Sequence, residues 1–432
     1  MKLRNQWLLQ CAAVVVGISM TVQADSAAEH AVAPPVVAGW DELVKALRDL
    51  PNRMLAKLPE EQQRNPQIQQ EVARLALAAL ASSAIDTLGS DGDHPAFVPQ
   101  INQTLNVGQP NADTSYRSAR IAPGGVYRLR GKRGSLRMFR IAESGAPPPA
   151  KTAAGAPYLG PQRVDHDFNA LRTDAEGRYD VILSPERPAG YTGDWWQSQP
   201  GTSRLLLRMV SSDWGKEAEP TLSIERLDKP VERPRPTAAE LEDRLRRLPQ
   251  AIDFIALLFV DHVARLRADG YVNKLKVFDV STMGGLAGQF YYEGAYDLGE
   301  DEALIVEAKV PAKCLYRSMI LTNDLYETTD WYNNESSLND AQSAPDKDGV
   351  LRIVVSARDP GVPNWLDTAG YPTGVIQGRW AECDSQPIPS VRKLALADVR
   401  KSLPAETPAI GPEQREQIVR ERRAALQHRP LW

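Results

Sequence analysis

Two carboxylates eight positions apart, Asp359 and Asp367, flank an amide and an indole, Asn364 and Trp365, and a guanidinium follows at Arg379. Acid–base chemistry on a small molecule uses these residue types. One carboxyl group gives or takes a proton, a second in different surroundings does the opposite, an oriented amide donates a hydrogen bond, and the cation stabilises developing negative charge. The same residues have a structural use, since Asp359 and Asp367 are placed to cap turns and Trp365 to plug the edge of a core. Both readings require an ordered segment. Pro360 and Pro363 fix φ, Gly361 permits a left-handed turn, and Asp359 can accept from N–H groups just downstream, so the long connection over 357–373 is stiff.

Two other regions concentrate acids, amides and rings outside strand-like runs: Asn323 to Asn339 and the turn from Asp113 to Tyr116. The expectation is one ligand site bordered by Asp359, Asn364, Trp365, Asp367 and Arg379 together with Asn323, Asn339, Asp113 and Tyr116. A basic stretch adds to it. Arg128 and Arg130 fall on one strand face and can clamp a carboxylate or sulfate, or form a solvated face balanced by acids from elsewhere. Trp331-Tyr332 and the other loop tryptophans can stack on a flat ligand or simply pack in the core. No nucleophile elbow, phosphate loop, dinucleotide fingerprint or His-Glu-x-x-His occurs, so neither a cofactor nor a metal is called for. Asp165-His166-Asp167 and Asp91, Asp93, His94 sit in polar loops and fit solvated turns better than cation sites.

Elements that hold these groups can be read from periodicity. Leu351–Ser356 and Gly374–Ala381 are strand-like runs on either side of the Asp359 loop. A helical lead-in is predicted over 39–99, interrupted at Pro51 and restarted by Asn65-Pro66. A β-rich lobe spans 100–228, with a hairpin across Gly131-Lys132-Arg133-Gly134 and a Pro/Ala/Gly-rich loop at 146–161. A linker and helices cover 229–270, with a capping box at Thr237 and Glu240 and a kink or restart at Pro249. An antiparallel sandwich occupies 271–388, and a helical tail 389–432 ends in a surface helix from Pro412 to Gln427. The expected fold class is α+β, mainly β: two β-rich lobes, the second a jelly-roll-like antiparallel sandwich, with helical N-terminal, linking and C-terminal segments.

Residues 1–24 read as a secretory signal, with Lys2 and Arg4 before an apolar stretch and Ala24 at the cleavage site, followed by a loose leader over 25–38. Cleavage leaves 49 basic against 55 acidic residues, a net charge of −6, so no nucleic-acid partner is expected. No run is apolar enough for stable membrane insertion. The mature chain is expected in the periplasm or outside the cell. There Cys314 and Cys383 either form a disulfide or remain two buried thiols.

Spread in order along the chain are Asn111-Ala112-Asp113-Thr114-Ser115-Tyr116, Tyr127-Arg128-Leu129-Arg130-Gly131, Asp213-Trp214, Tyr292-Glu293-Gly294, Ser337-Leu338-Asn339, Asp359 to Gly370 and Gly378-Arg379-Trp380. In these pieces the chain resembles an uncharacterised bacterial domain-of-unknown-function family that carries the DPGVPNWLDTAG signature. The resemblance implies a C-terminal β-sandwich of jelly-roll type and a secreted or envelope location. Many members of that family have histidine where Tyr371 stands, which removes a histidine acid–base role at that position here. Two functions fit: an enzyme acting on a carbohydrate or hydrophobic small molecule through Asp359 and Asp367, or a non-catalytic periplasmic ligand-binding or scaffold protein.

Overall fold

The predicted runs condense into five α-helices and four sheets among the residues described by the computed structural model, which are 36–89, 91–145, 164–278, 286 and 288–430. The predicted signal, most of the leader and the 146–161 loop lie outside them.

Helices α1 (Trp40–Leu55), α2 (Glu60–Gln63) and α3 (Pro66–Leu88) come first. The Gln67 amide donates to Asn65 Oδ1 at 2.9 Å and Pro66 takes the first helical position, where a missing N–H costs nothing. Pro51 does not interrupt its helix as expected, and the helix does not restart at Pro249. Pro51 lies inside α1, and Pro249 lies inside α4 (Ala238–Ala268), which starts at the predicted Thr237–Glu240 capping box. Leu50, Met54, Val72, Leu75, Leu248 and Ile252 bury one shared core between α1, α3 and α4. Each such side chain contributes about 1.5 to 3 kcal/mol, enough together to outweigh the roughly 3 kcal/mol cost of an internal proline.

The first β lobe comprises β1 (Thr114–Arg120), β2 (Tyr127–Lys132), β3 (Met138–Ser144), β4 (Asp165–Asp167), β5 (Arg178–Ser184), β6 (Asp194–Gln197), β7 (Arg204–Val210) and β8 (Ser223–Arg226). These form two sheets, ordered β1-β7-β3-β4 and β6-β5-β2-β8. The predicted hairpin is therefore not formed, because β2 pairs with β5 and β8 while β3 pairs with β7 and β4. Backbone donors of the connection go elsewhere: Arg133 N to Gly177 O and Ser135 N to Ala218 O, both at 2.9 Å. Crossing between sheets lets Leu129 face Phe139 and Ile141 in one buried core.

The second lobe comprises β9 (Lys276–Phe278), β10 (Gln289–Asp297), β11 (Glu302–Lys309), β12 (Cys314–Thr322), β13 (Ser337–Asn339), β14 (Val350–Ser356), β15 (Trp365–Asp367), β16 (Thr373–Cys383) and β17 (Ser390–Ala395), followed by α5 (Pro412–Gln427). Its sheets run β13-β12-β16-β10-β9 and β15-β14-β11-β17. Strand β17 falls in the stretch expected to be helical; it hydrogen-bonds along β11 as an edge strand. Between the sheets Tyr292, Trp380, Leu304, Val306, Ile353 and Val355 are buried together. Gly378 makes room for this packing, since a Cβ there would sit 2.1 Å from the ring of its cross-strand neighbour Tyr292. Cys314 and Cys383 lie opposite each other on β12 and β16 and are joined as a disulfide.

The fold is thus α+β and mainly β, antiparallel except for the pairs β5–β6 and β14–β15. Residues 39–432 make up one compact unit, so the two lobes are parts of a single body. Strict alternation along β10, β12 and β16 sends Tyr292, Met319, Ile376 and Trp380 into the sandwich and leaves the opposite face to Tyr291, Glu293, Tyr316, Gln377 and Arg379. That second face is not open to water. Met138 and Val210 of the first lobe pack on Tyr316 and Ala381, and Val263 and Leu266 of α4 pack with Ala295 and Val375.

Candidate functional site

In the Asp359 loop the polar groups are engaged in holding its shape. Asp359 accepts from Gly361 N at 2.8 Å, where Gly361 takes φ 71°, and its carboxylate faces Arg415 of α5, with Nε to Oδ2 at 2.9 Å. Arg415 also pairs with Glu335, donates to Val362 O and lies 4.9 Å over the Trp365 ring. Asn364 donates from its side chain to Ala344 O at 2.8 Å and to Arg352 O at 3.1 Å. Trp365 is buried and its indole donates to Ser356 Oγ at 3.0 Å. Asp367 accepts from Ala369 N at 2.7 Å, and its own N–H donates to Glu335 O at 3.0 Å. Burial pushes the Asp367 and Glu335 carboxyls above their ordinary range, against the pull of Ala369 N on the first and of Arg415 on the second.

A different group forms where the lobes meet. Asp113, 1% exposed, accepts from Trp214 Nε1 at 2.8 Å and Asn339 Nδ2 at 2.7 Å on one oxygen and from Tyr316 Oη at 2.6 Å on the other. Burial raises its carboxyl despite these three donors. Asn339 and Asp113, both predicted to border the site, thus lie in direct contact. Beside them a small cleft is lined by Tyr116, Arg117, Trp331, Tyr332 and Arg429. Its free volume of about 40 Å³ holds a few waters and is far below that of an enclosed site for a drug-sized ligand. The C-terminal helix walls it. Arg429 donates to Asp113 O at 3.1 Å and to Glu219 at 2.6 Å, and Arg422 donates to Ser337 Oγ at 2.9 Å while stacking 4.6 Å from the Trp214 ring. The expected surface helix is therefore pinned by Arg415, Arg422 and Arg429, each no more than 8% exposed.

Other predicted ligand groups are distributed away from both places. Arg128 pairs with Asp180 through Nε at 2.9 Å and Arg130 with Glu225 at 3.4 Å, cross-strand neighbours on β5 and β8, so the balanced face is what forms. Asn323 donates to Glu327 Oε2 at 2.8 Å and accepts from Leu325 N and Glu327 N, closing a turn. Asp165 faces Arg140 at 3.5 Å, with burial pushing it up to about 6, while His166 bonds Glu143 at 2.7 Å. Asp91 is bonded by the Asp93 and His94 amides. Among the described residues no three potential ligands converge on a metal position.

Arg379 is one of several arginines with an unpartnered side-chain nitrogen, Arg422 Nε and Arg140 Nε being others. Arg379 is 5% exposed, its Nη2 donates to Gln377 Oε1 at 2.9 Å, its guanidinium lies 4.9 Å from the Tyr291 ring, and its Nε has no hydrogen-bond partner among the described residues. From Gln377 a chain of bonds continues: Gln377 Nε2 donates to Tyr326 Oη at 2.7 Å, Tyr326 Oη donates to Glu293 Oε2 at 3.2 Å, and Glu293 Oε1 meets His262 Nε2 of α4 at 2.8 Å. Tyr326 is buried with φ 61°, a backbone state costly for a bulky residue and one that clusters at functional sites. Tyr116, which lines the cleft, and the Asp113 carboxylate lie within electrostatic reach of Arg379.

Of the residues singled out in the sequence, Arg379, Tyr116 and Asp113 lie near this layer, Tyr326 belongs to the Asn323 to Asn339 segment and Glu293 to the Tyr292-Glu293-Gly294 piece, whereas His262 and Gln377 were not singled out. A signal was present. Gln377 and Arg379 are two apart in an apolar run, as are Tyr291 and Glu293, which is the pattern of a strand whose second face is buried and polar.

No protein-family profile matches the chain, and no curated protein does. Among solved structures, an uncharacterized protein from Burkholderia cenocepacia is 27% identical with a TM-score of 0.76, covering 83% of this chain and 97% of its own. A second, from Vibrio parahaemolyticus, has 13% identity and a TM-score of 0.43 over 75% of this chain and 99% of its own. The first shares the architecture described above.

Proposed function

We propose that the protein is a non-catalytic ligand-binding protein of the bacterial envelope, and that its ligand is a small molecule held at the buried polar layer around Arg379, reached from the cleft at Tyr116. The observation that carries this reading is the Arg379 guanidinium, buried against Tyr291 and Gln377 with its Nε unpartnered and no carboxylate bonded to it among the described residues. A charge removed from water without a direct counter-charge costs several kcal/mol, and folds retain such groups where something else completes them. The signature loop favours binding over carboxylate catalysis, since Asp359 and Asp367 are committed to turn bonds and to Arg415. Envelope location rests on the leading sequence and on the resemblance carried by Asp359 to Gly370.

A thermal-shift screen of small molecules on the mature protein and its Arg379→Gln variant tests the reading. A ligand at 100 times its Kd adds about 2.7 kcal/mol to wild-type stability. The expected result is at least one compound that stabilises the wild type and not the variant. Equal shifts in both proteins would place the ligand elsewhere.

A further inference from the structure

We infer that the cleft between the C-terminal segment and the Trp331–Tyr332 loop is a binding site in its own right, and that it takes one edge of an uncharged sugar ring. The inference stands on the cleft alone and holds whether or not a ligand reaches Arg379.

Space sets the size of the group. Asn102 and Gln103 ahead of β1, Tyr116 on β1, Trp331 and Tyr332 between β12 and β13, and Arg429 after α5 line the cleft, so four separate stretches of chain meet there. Its volume of about 40 Å³ is that of roughly three or four waters at about 10 to 15 Å³ each. The edge of a single small ring with its hydroxyls fits such a space. The rest of the ring stays in the mouth of the cleft, which is open to solvent on one side.

Charge sets the sign. Arg429 gives Nε to Glu219 at 2.6 Å and its other nitrogens to Asp113 O, Ser115 Oγ and Met209 O. Arg117, also in the wall, faces the same Glu219. An anion would therefore enter beside a carboxylate and a cation beside two guanidinium groups. A neutral group meets neither repulsion.

Unspent hydrogen bonding sets the chemistry. The Tyr332 hydroxyl has no partner among the described residues. Asn102 accepts from Thr104 N at 2.8 Å and Leu105 N at 2.9 Å through Oδ1, while its side-chain nitrogen is unbonded among the described residues. The Gln103 amide reaches Asp330 only at 3.5 Å, and the Tyr116 hydroxyl accepts from Asn111 N at 3.2 Å with its proton still to give. Donors and acceptors thus stand next to the rings of Tyr116, Trp331 and Tyr332. Hydroxyls of a sugar both donate and accept, and the C–H groups between them pack on aromatic surface. A purely apolar ligand would cover these polar groups without replacing the water they lose.

The test is saturation-transfer NMR on the whole protein with glucose, galactose, mannose and N-acetylglucosamine. Cyclohexanol serves as a ring with a single hydroxyl and acetate as a charged group of similar size to the edge. The expected result is binding of at least one sugar with a millimolar Kd and no binding of cyclohexanol or acetate at the same concentrations. Tyr332→Ala and Gln103→Ala should each weaken that sugar about tenfold, and Arg379→Gln should leave it unchanged. Both cleft residues are only half-buried, and either variant decides the matter if the other fails to fold. Cyclohexanol or acetate binding as tightly as the best sugar would overturn the ligand class. Sugar binding that survives both cleft variants, or that is lost in Arg379→Gln alone, would overturn the place. No binding of any of the four sugars to the wild type would overturn the inference outright. Sugar binding together with a failed Arg379 screen would refute the buried-layer reading and leave the cleft standing.

Discussion

Replacing Arg415 by methionine should unlock the Asp359 loop. The substitution keeps most of the volume over the Trp365 ring but removes the partner of Glu335, which is 3% exposed, along with two bonds to Asp359 and one to Val362 O. Asp359 keeps some access to water and can rehydrate, so most of the loss comes from Glu335. Breaking a buried pair by removing one partner costs about 3 to 5 kcal/mol, because the remaining charge is uncompensated. The sign with pH follows from the raised Glu335 carboxyl. Its proton is bound more tightly in the folded than in the unfolded chain, so ionised Glu335 opposes folding at neutral pH and that penalty fades as pH falls through the raised range. Without Arg415 the carboxyl rises further. Urea unfolding should thus show a deficit of about 3 to 5 kcal/mol at pH 7 that shrinks markedly at pH 5, and adding Glu335→Gln should recover a large part of it at pH 7. A loss under about 1 kcal/mol, or one equal at both pH values, would refute the assignment of Arg415 as the lock.

Asp367→Asn retains an acceptor for Ala369 N, so stability should fall by at most about 1 kcal/mol and ligand binding should be unchanged; loss of binding with an unmoved melting temperature would return the site to the signature loop. In Asp113→Asn the Tyr316 hydroxyl, which already accepts from Asn111 Nδ2 at 2.8 Å, loses the acceptor for its proton or the new amide faces Trp214 and Asn339 donors, a cost of about 1 to 3 kcal/mol seen in denaturant midpoints. The Cys314→Ser/Cys383→Ser variant releases a cross-link between residues 69 apart and should lose about 2 to 4 kcal/mol, matching reduced wild type; equal midpoints for oxidised and reduced wild type would contradict this.

Where local pattern and tertiary packing agreed, the sequence could be read correctly. Asn65-Pro66 and Thr237 with Glu240 start helices because capping is decided within four residues. Pro51 and Pro249 misled for the opposite reason, since the shared core of α1, α3 and α4 depends on residues nearly 200 positions apart. The hairpin at Gly131 failed likewise: strand identity is local, but partner choice depended on β5 and β7. Among site residues, Asp359 and Asp367 were conspicuous because turn-capping aspartates and catalytic aspartates look alike in one dimension. His262 and Glu293 meet only because α4 lies on the polar face of β10, a contact that neither strand alternation nor helix periodicity specifies.

Arg415 and Arg422 of α5 and Arg429, two residues past its end, recur every seven residues, so the C-terminal segment grips the Glu335–Asp359 corner of the second sandwich at one end and Ser115 and Glu219 of the first at the other. Mechanical coupling of this kind merges two folding units into one. The sandwiches should exchange their most protected amide hydrogens at a common rate, through global opening, instead of each through its own. At about 0.7 kcal/mol per residue near 60 °C, the roughly 390 residues would then melt in a single endotherm of about 270 kcal/mol, with the calorimetric and van't Hoff enthalpies equal.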